Sequence, residues 1–162
     1  SQNKITNYTA YIDNWDHGGQ DKVDYPNTDL AFSPSVIWAS NINYKLDNNT
    51  SIYFISKYIG KQFIDNTSSK DRMLEDYLVN NLCVSYKWNN KIFKISKLTL
   101  QVNNVLNNEY VSNAWVYRFI SDGWDPRGND PYVNLDSENG YNMVGYFPQA
   151  TRNYLLGITL GF

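Results

Sequence analysis

Apolar and polar residues alternate along much of the chain, most cleanly at its C-terminal end. Counting back from Phe162 by twos gives Phe162, Leu160, Ile158, Leu156 and Tyr154, an apolar and aromatic set. The intervening positions Gly161, Thr159, Gly157, Leu155 and Asn153 are small or polar apart from Leu155. Successive side chains on a strand point to opposite faces, so this period of two predicts a strand over 152–162 with one apolar face. Segment 95–104 repeats the pattern, with Leu98, Leu100 and Val102 opposite Lys97, Thr99, Gln101 and Asn103. In 36–46, Trp38, Ile42, Tyr44 and Leu46 oppose Ala39, Asn41, Asn43 and Lys45; in 78–88, Leu82, Val84, Tyr86 and Trp88 oppose Asn81, Cys83, Ser85 and Lys87. Segment 51–60 is apolar enough to leave its facing ambiguous, and 4–14 is a weaker sixth candidate.

The connections alternate in length. Asp47-Asn48-Asn49 and Asn89-Asn90-Lys91 read as tight turns, because Asn tolerates the positive φ that hairpin turns require. Between them lie long loops at about 15–33, 60–73 and 107–148, and loops of that length are usually functional. Short, long, short, long is the pattern of an antiparallel up-and-down meander of about six strands whose two ends do different jobs.

Composition narrows the class. The 162 residues are 42% hydrophobic and 19% charged, with 16% aromatic residues and, by count, 23 asparagines, which suits strands and polar loops better than helices. A net charge of -2 lacks the basic excess of a general nucleic-acid binder. With one cysteine, Cys83, and one histidine, His17, neither an internal disulfide nor a Cys/His metal cluster can be built. No apolar run approaches the ~18 residues of a membrane-spanning helix. The chain opens at Ser1 without a basic and apolar leader, which predicts a mature chain or a fragment.

Strands with one apolar face fit two solvents. In a soluble sandwich that face packs on a second sheet; in an outer-membrane barrel it meets lipid while the polar face lines a wet interior. Four features favour the barrel. The strands read as long, up to about 11–14 residues against ~5–6 for typical soluble strands, and a tilted membrane strand needs ~9–11. Tyr44, Tyr58, Tyr86, Trp88, Tyr154 and Phe162 gather near strand ends, as interfacial girdles do. Turns and loops alternate in length, and the chain closes on an aromatic in register with the apolar face. The long loops then face outward and the last strand runs down, a descent that fits an even strand count. The alternative is a soluble all-β ligand- or carbohydrate-binding module with exposed Trp and Tyr.

Candidate chemistry lies in the loops. In the first, Trp15-Asp-His-Gly-Gly-Gln-Asp-Lys-Val-Asp24 gathers Trp15, His17 and several carboxylates; oxygen donors suit Ca²⁺, but the spacing matches no Ca²⁺-loop motif and solvated polarity explains the segment equally well. In the third, Trp115, Tyr117, Arg118, Trp124, Asp125, Arg127, Asp130 and Tyr132 combine flat rings with guanidinium groups, which can hold a chelate or a sugar. The same aromatics can instead pack the loop on its neighbours. Lys45, Lys87, Lys97, Gln101 and Asn103 belong to the polar face, and Cys83 reads as a small buried residue. No nucleophile–base pair, carboxylate pair or phosphate loop emerges, so no catalytic residue, cofactor or resident metal is expected.

Two stretches carry a resemblance. Leu98-Thr-Leu-Gln-Val-Asn-Asn-Val-Leu-Asn-Asn-Glu-Tyr110 and Tyr146-Phe-Pro-Gln-Ala-Thr-Arg-Asn-Tyr-Leu-Leu-Gly-Ile-Thr-Leu-Gly-Phe162 resemble the last two strands of TonB-dependent outer-membrane receptors, particularly those of Bacteroides-like bacteria. Phe32-Ser-Pro-Ser35 and Lys57-Tyr-Ile-Gly-Lys-Gln-Phe-Ile-Asp-Asn-Thr67 are similar to the same family, so the likeness covers about 28–110 and 146–162. It implies that residues 1–162 are the C-terminal segment of a 22-stranded transmembrane barrel whose plug, energy-coupling box and earlier strands lie elsewhere. It implies import of a ferric siderophore, haem, cobalamin or oligosaccharide, with the TonB energy-coupling complex, the lipid bilayer, the imported ligand and a surface lipoprotein as partners. Phe162 with Tyr154, Leu156, Ile158 and Leu160 looks like the family's signal to the outer-membrane insertion machinery, and the polar-face residues would hydrate the lumen or meet the plug.

Overall fold

The structure, a computed structural model, describes residues 2–161. Its strands in chain order are β1 (Lys4–Asn14), β2 (Gly19–Asp29), β3 (Ile37–Lys45), β4 (Thr50–Ile59), β5 (Gln62–Phe63), β6 (Met73–Leu74), β7 (Tyr77–Lys87), β8 (Ile95–Asn103), β9 (Val111–Ile120), β10 (Val133–Leu135), β11 (Tyr141–Pro148) and β12 (Asn153–Gly161). Among the described residues the other regular element is one 3-10 turn, Pro126–Gly128. The protein is therefore all-β, with antiparallel pairing throughout except for a short parallel contact between β1 and β9. The chain divides into two compact units.

The first unit, Ile37–Ile59, Tyr77–Tyr110 and Gln149–Phe162, is a meander: one antiparallel sheet in the order β12-β8-β7-β4-β3. Paired residues share a face, so the registers define transverse rows. One face carries Ile42–Phe54–Leu82–Val102–Tyr154 and, a step along, Tyr44–Ile52–Val84–Leu100–Leu156. The other carries Lys45–Ser51–Ser85–Thr99–Gly157 and Asn43–Tyr53–Cys83–Gln101–Leu155. Asn103 Nδ2 donates to Asn153 Oδ1 on that second face at 2.9 Å. Ile55 and Leu155 interrupt its polarity, and Cys83 is half-buried rather than enclosed.

Among the described residues, no second layer covers the apolar rows. Leu156 is 71% exposed and Tyr154 and Ile158 each 65%. Among the described residues, ten hydrophobic side chains are buried and only Ile59 of them belongs to this unit, so the sheet has almost no apolar interior. Phe162, the terminal aromatic of the sequence reading, lies outside the described residues.

Local chemistry fixes the connections. At the turn after β3, Asp47 Oδ1 accepts from the N–H groups of Asn49 (2.7 Å) and Thr50 (2.8 Å). The stretch after β8 takes its form from asparagines. Asn104 and Asn107 sit at φ +51° and +57°, a region that Asn adopts more readily than most residues. Asn104 brackets the loop by exchanging hydrogen bonds with both backbone groups of Asn108, and Asn108 Nδ2 donates to the Leu78 carbonyl at 2.6 Å. The Asn-rich run after β8 is thus a folding device.

Two sequence expectations need correction. The meander has five strands, not six: segment 4–14 does form β1, but β1 pairs with β2 in the other unit. An odd count still lets β12 run in the same direction as β3, because every neighbour in the sheet is antiparallel. The long loops are also not irregular. They contain β2, the β5–β6 pair and β9–β11. These strands lack clean alternation, β2 because it is wetted on both faces and β9 because it is buried on both; β2, Gly-Gln-Asp-Lys-Val-Asp-Tyr-Pro-Asn-Thr-Asp, is held by its ladder and by contacts such as Lys4–Asp29 at 2.6 Å.

The second unit, Ser1–Val36, Gly60–Asp76 and Val111–Pro148, holds the apolar interior. Its sheet runs β10-β11-β9-β1-β2. Phe119 is fully buried with Val133 and Tyr141, and Ile64, Leu74 and Ala114 form a second cluster. Gly140 enters β11 at φ +74°, and a Cβ there would collide with the Phe119 carbonyl oxygen. Gly140→Ala is therefore expected to destabilise this unit by about 1–3 kcal/mol, read as a lower urea midpoint for its transition; an unchanged midpoint would mean the turn has room.

Candidate ligand-binding surface

The second unit brings part of the predicted loop chemistry together. The turn after β1 and the turn after β9 meet at one tip. Asp16 accepts from the N–H groups of Asp122 (Oδ2, 2.7 Å) and Gly123 (Oδ1, 3.0 Å), tying the two turns. Trp15 stacks on Phe119 with ring centroids 3.9 Å apart, and Trp124 lies 6.4 Å from Trp15 at an interplanar angle of 19°. Beneath them Phe119 continues into Tyr117 and Tyr141, each 5.6 Å away. Trp15 and Trp124 remain about half exposed, so the ladder ends in two open indole surfaces.

Hydrogen bonds fix the ladder sideways. Trp15 Nε1 donates to the Tyr117 hydroxyl (3.3 Å), which in turn donates to Asp13 (2.8 Å). The two backbone N–H groups on Asp16 hold its carboxyl below the ordinary carboxylate value. A depressed pKa means the tie is complete above about pH 4 and is lost as the pH falls through the lowered value. Asp16→Ala is expected to red-shift tryptophan emission at neutral pH and speed amide exchange at Asp122 and Gly123; wild type should approach that state only in strong acid. Emission that is the same in both proteins would show that the turns meet without Asp16.

The other candidates lie elsewhere in this unit. His17 is exposed and its imidazole Nε2 lies 3.3 Å from Asp21. Among the described residues no group of three His, Cys, Asp or Glu side chains is placed to hold a metal ion. Arg127 clamps Asp125 through Nε and Nη2 and lies 6.0 Å above the Tyr141 ring. Those hydrogen bonds from Arg127 hold the Asp125 carboxyl down at about 2. Asp130 is spent on its own turn, accepting from the Tyr132 N–H at 2.9 Å. Trp115 lies across Gly145, its cross-strand partner, so closely that any Cβ there would displace the indole. With Tyr132 and Tyr146 it lines an apolar groove of about 670 Å³.

Arg118 is committed inside the protein. Its side chain is 8% exposed and sits 2.9 Å from Glu138 and 3.4 Å from Asp136. Those carboxylates also face Arg72, which is fully buried, donates to Asp65 (2.7 Å) and Thr67 (2.6 Å), and pairs with Asp136 through Nη1. Tyr25 closes the network by donating to Glu138 at 2.5 Å; burial, then the Glu138 hydrogen bond, push its hydroxyl above the ordinary tyrosine value. Sequence reasoning gave no hint of Arg72, since its partners Asp136 and Glu138 are 64 and 66 residues away.

Comparison with family models and with curated proteins returns no match to this chain.

Proposed function

We propose that this chain is the C-terminal segment of an outer-membrane nutrient receptor of the TonB-dependent kind, with no enzymatic role. In this reading the meander contributes five strands to a transmembrane barrel, and the second unit carries the ligand-catching surface. The supporting observation is the meander's open apolar face: Ile42, Tyr44, Leu100, Tyr154, Leu156 and Ile158 are exposed and the rest of their rows is half-buried, although soluble monomers rarely expose contiguous apolar patches beyond a few hundred Å². Lipid is the solvent in which such a face costs nothing. From Trp38 to Leu46 the strand runs about 26 Å at ~3.3 Å per residue, close to the ~25 Å apolar band of an outer-membrane barrel before allowing for tilt. Trp38 and Tyr58 pair across one end of the face, and Tyr86 stacks with Trp88 near the other, as interfacial aromatics would. Import would use the TonB complex through parts of the receptor beyond this chain, and the bacterial outer membrane is the location.

The test reads the two faces separately. In a Cys83→Ser background, single cysteines at Leu156, Gly157, Ile158 and Thr159 are labelled with a fluorophore, and the chain is reconstituted with nitroxide-labelled lipid. Quenching should be strong at 156 and 158 and weak at 157 and 159. Uniform weak quenching, with a chain that stays monomeric in plain buffer, would instead favour a soluble binding module.

A further inference from the structure

Charge is divided unevenly between the two units. The meander carries seven Lys and Arg residues against two carboxylates, Asp47 and Glu109, whereas the second unit carries seven against fourteen. Five of the meander's seven cations, Lys45, Lys87, Lys91, Lys94 and Lys97, lie at the end that bears the connections 46–49 and 88–94. Among the described residues Asp47 is the one acidic side chain at that end, and its Oδ1 is engaged by the N–H groups of Asn49 and Thr50. The Lys87 N–H donates to the Asn49 carbonyl at 2.8 Å, which brings the two connections side by side. Lys87 and Lys97 stand directly opposite each other across the β7–β8 ladder, an arrangement that like charges disfavour. This end of the sheet therefore favours an anionic neighbour.

The apolar face indicates which kind. Toward this end Val84 and Leu100 give way to Tyr86, paired with Leu98, and then to Trp88, whose ring stacks with Tyr86 at 6.4 Å. Beyond the rings, Lys91 and Lys94 are exposed on either side of Ile92, itself 75% exposed. The bend is a shaped one: the Trp88 N–H donates to the Ser96 carbonyl at 3.0 Å, and Asn90 Oδ1 accepts from the Ile92 N–H at 2.8 Å. Aliphatic, aromatic, cationic is the order of a bilayer leaflet read from its middle to its phosphates. A nucleic acid or an acidic protein also neutralises lysines. Neither calls for an open isoleucine between them or for rings one step inside, whereas a charged lipid surface rewards both features together.

We propose that the connection 88–94, with Lys91 and Lys94 around Ile92, anchors this end of the sheet to the headgroups of anionic glycerophospholipids. The lysine stems lie along the apolar edge and hold their ammonium groups at phosphate level, while Ile92 enters between headgroups. The inference deepens the receptor reading, which supplies the bilayer, by naming the charge class of the lipid at this end.

The experiment reads lipid preference at the bend. In a Cys83→Ser background, Asn89→Cys carries a fluorophore, and the full chain is reconstituted in mixed phosphatidylcholine and phosphatidylglycerol with the nitroxide on one lipid or on the other. Quenching should show an about fivefold preference for phosphatidylglycerol, the worth of one lysine near an anionic surface. Lys91→Gln together with Lys94→Gln should abolish the preference, as should salt near ~1 M, where charges are screened within about 3 Å. Lys57→Gln, at the opposite end of the sheet, should leave it unchanged. Ile92→Ser should weaken quenching by both lipids and keep their ratio. The proposal is overturned if the two lipids quench alike, if the paired substitution leaves the preference in place, or if lipid-free polyglutamate binds with the same dependence on Lys91 and Lys94. Strong quenching at 156 and 158 without a headgroup preference at 89 sinks the anchor and spares the receptor reading. A preference at 89 with uniformly weak quenching at 156–159 does the reverse.

Discussion

Replacing Arg72 with methionine is expected to cost the second unit about 3–5 kcal/mol, the range for breaking one side of a buried ion pair. The change leaves Asp136, which is wholly enclosed, with only the more distant Arg118 as a counter-charge. It also strands Thr67 and Asp65, whose contacts with Arg72 anchor the 60–76 segment in this unit. Arg72→Lys should recover part of the loss, because an ammonium restores charge but cannot span Asp65, Thr67 and Asp136 as the guanidinium fork does. The readout is a urea transition followed by tryptophan emission, together with protease cleavage within 60–76.

The pH dependence supplies an internal control. Burial alone would raise the Asp136 carboxyl, but the Glu138 N–H, the charges of Arg72 and Arg118 and the Asn142 amide outweigh it and leave the pKa depressed. Its contribution is therefore complete above the unfolded value near 3.9 and vanishes as pH falls through the lower folded value. Wild type and Arg72→Met should differ most at neutral pH and converge below about pH 4. A neutral-pH difference under 1 kcal/mol would mean the network is dispensable.

Leu156→Arg should be the most damaging change in the meander. Leu156 lies in the row Tyr44–Ile52–Val84–Leu100–Leu156, in the middle of the apolar face. If lipid covers that row, an arginine near the midplane costs about 2–4 kcal/mol, and membrane-assembled protein should fall sharply against Gly157→Ser, which alters the opposite face. In water the same substitution would be nearly neutral, since the residue is 71% exposed. Undiminished membrane assembly of Leu156→Arg would therefore remove the lipid-facing assignment.

The sequence showed most where one physical rule governed a whole strand. β3, β7, β8 and β12 were legible because alternate side chains meet different surroundings, so Leu98, Leu100 and Val102 segregate from Lys97, Thr99 and Gln101. β2 was hidden because Asp21, Lys22, Asp24 and Pro26 break any alternation, and only its ladder to β1 declares it a strand. β9 was hidden for the opposite reason: it carries Phe119 on one side and Ala114 and Ile120 on the other, and all three are buried. Of the loop chemistry, the carboxylates around Trp15 in 15–24 and the aromatic richness of 111–127 were visible, yet the meeting of Trp15 with Trp124 depends on Asp16 reaching across 106 positions to Asp122. Arg118 was legible as a cation but not as one already engaged by Glu138, a pairing across 20 positions that no local pattern encodes.

At one end of the meander β3 and β4 are joined by the tight turn 46–49 and β7 and β8 by the seven-residue connection 88–94, longer than the tight turn expected at Asn89-Asn90-Lys91, while every longer excursion of the chain departs from the other end. Insertions, deletions or wholesale replacement within those excursions leave each ladder partner of the sheet in place. Those excursions can therefore change without renegotiating the scaffold, whereas a one-residue slip of any strand in the sheet would turn its oily side chains to the wrong face.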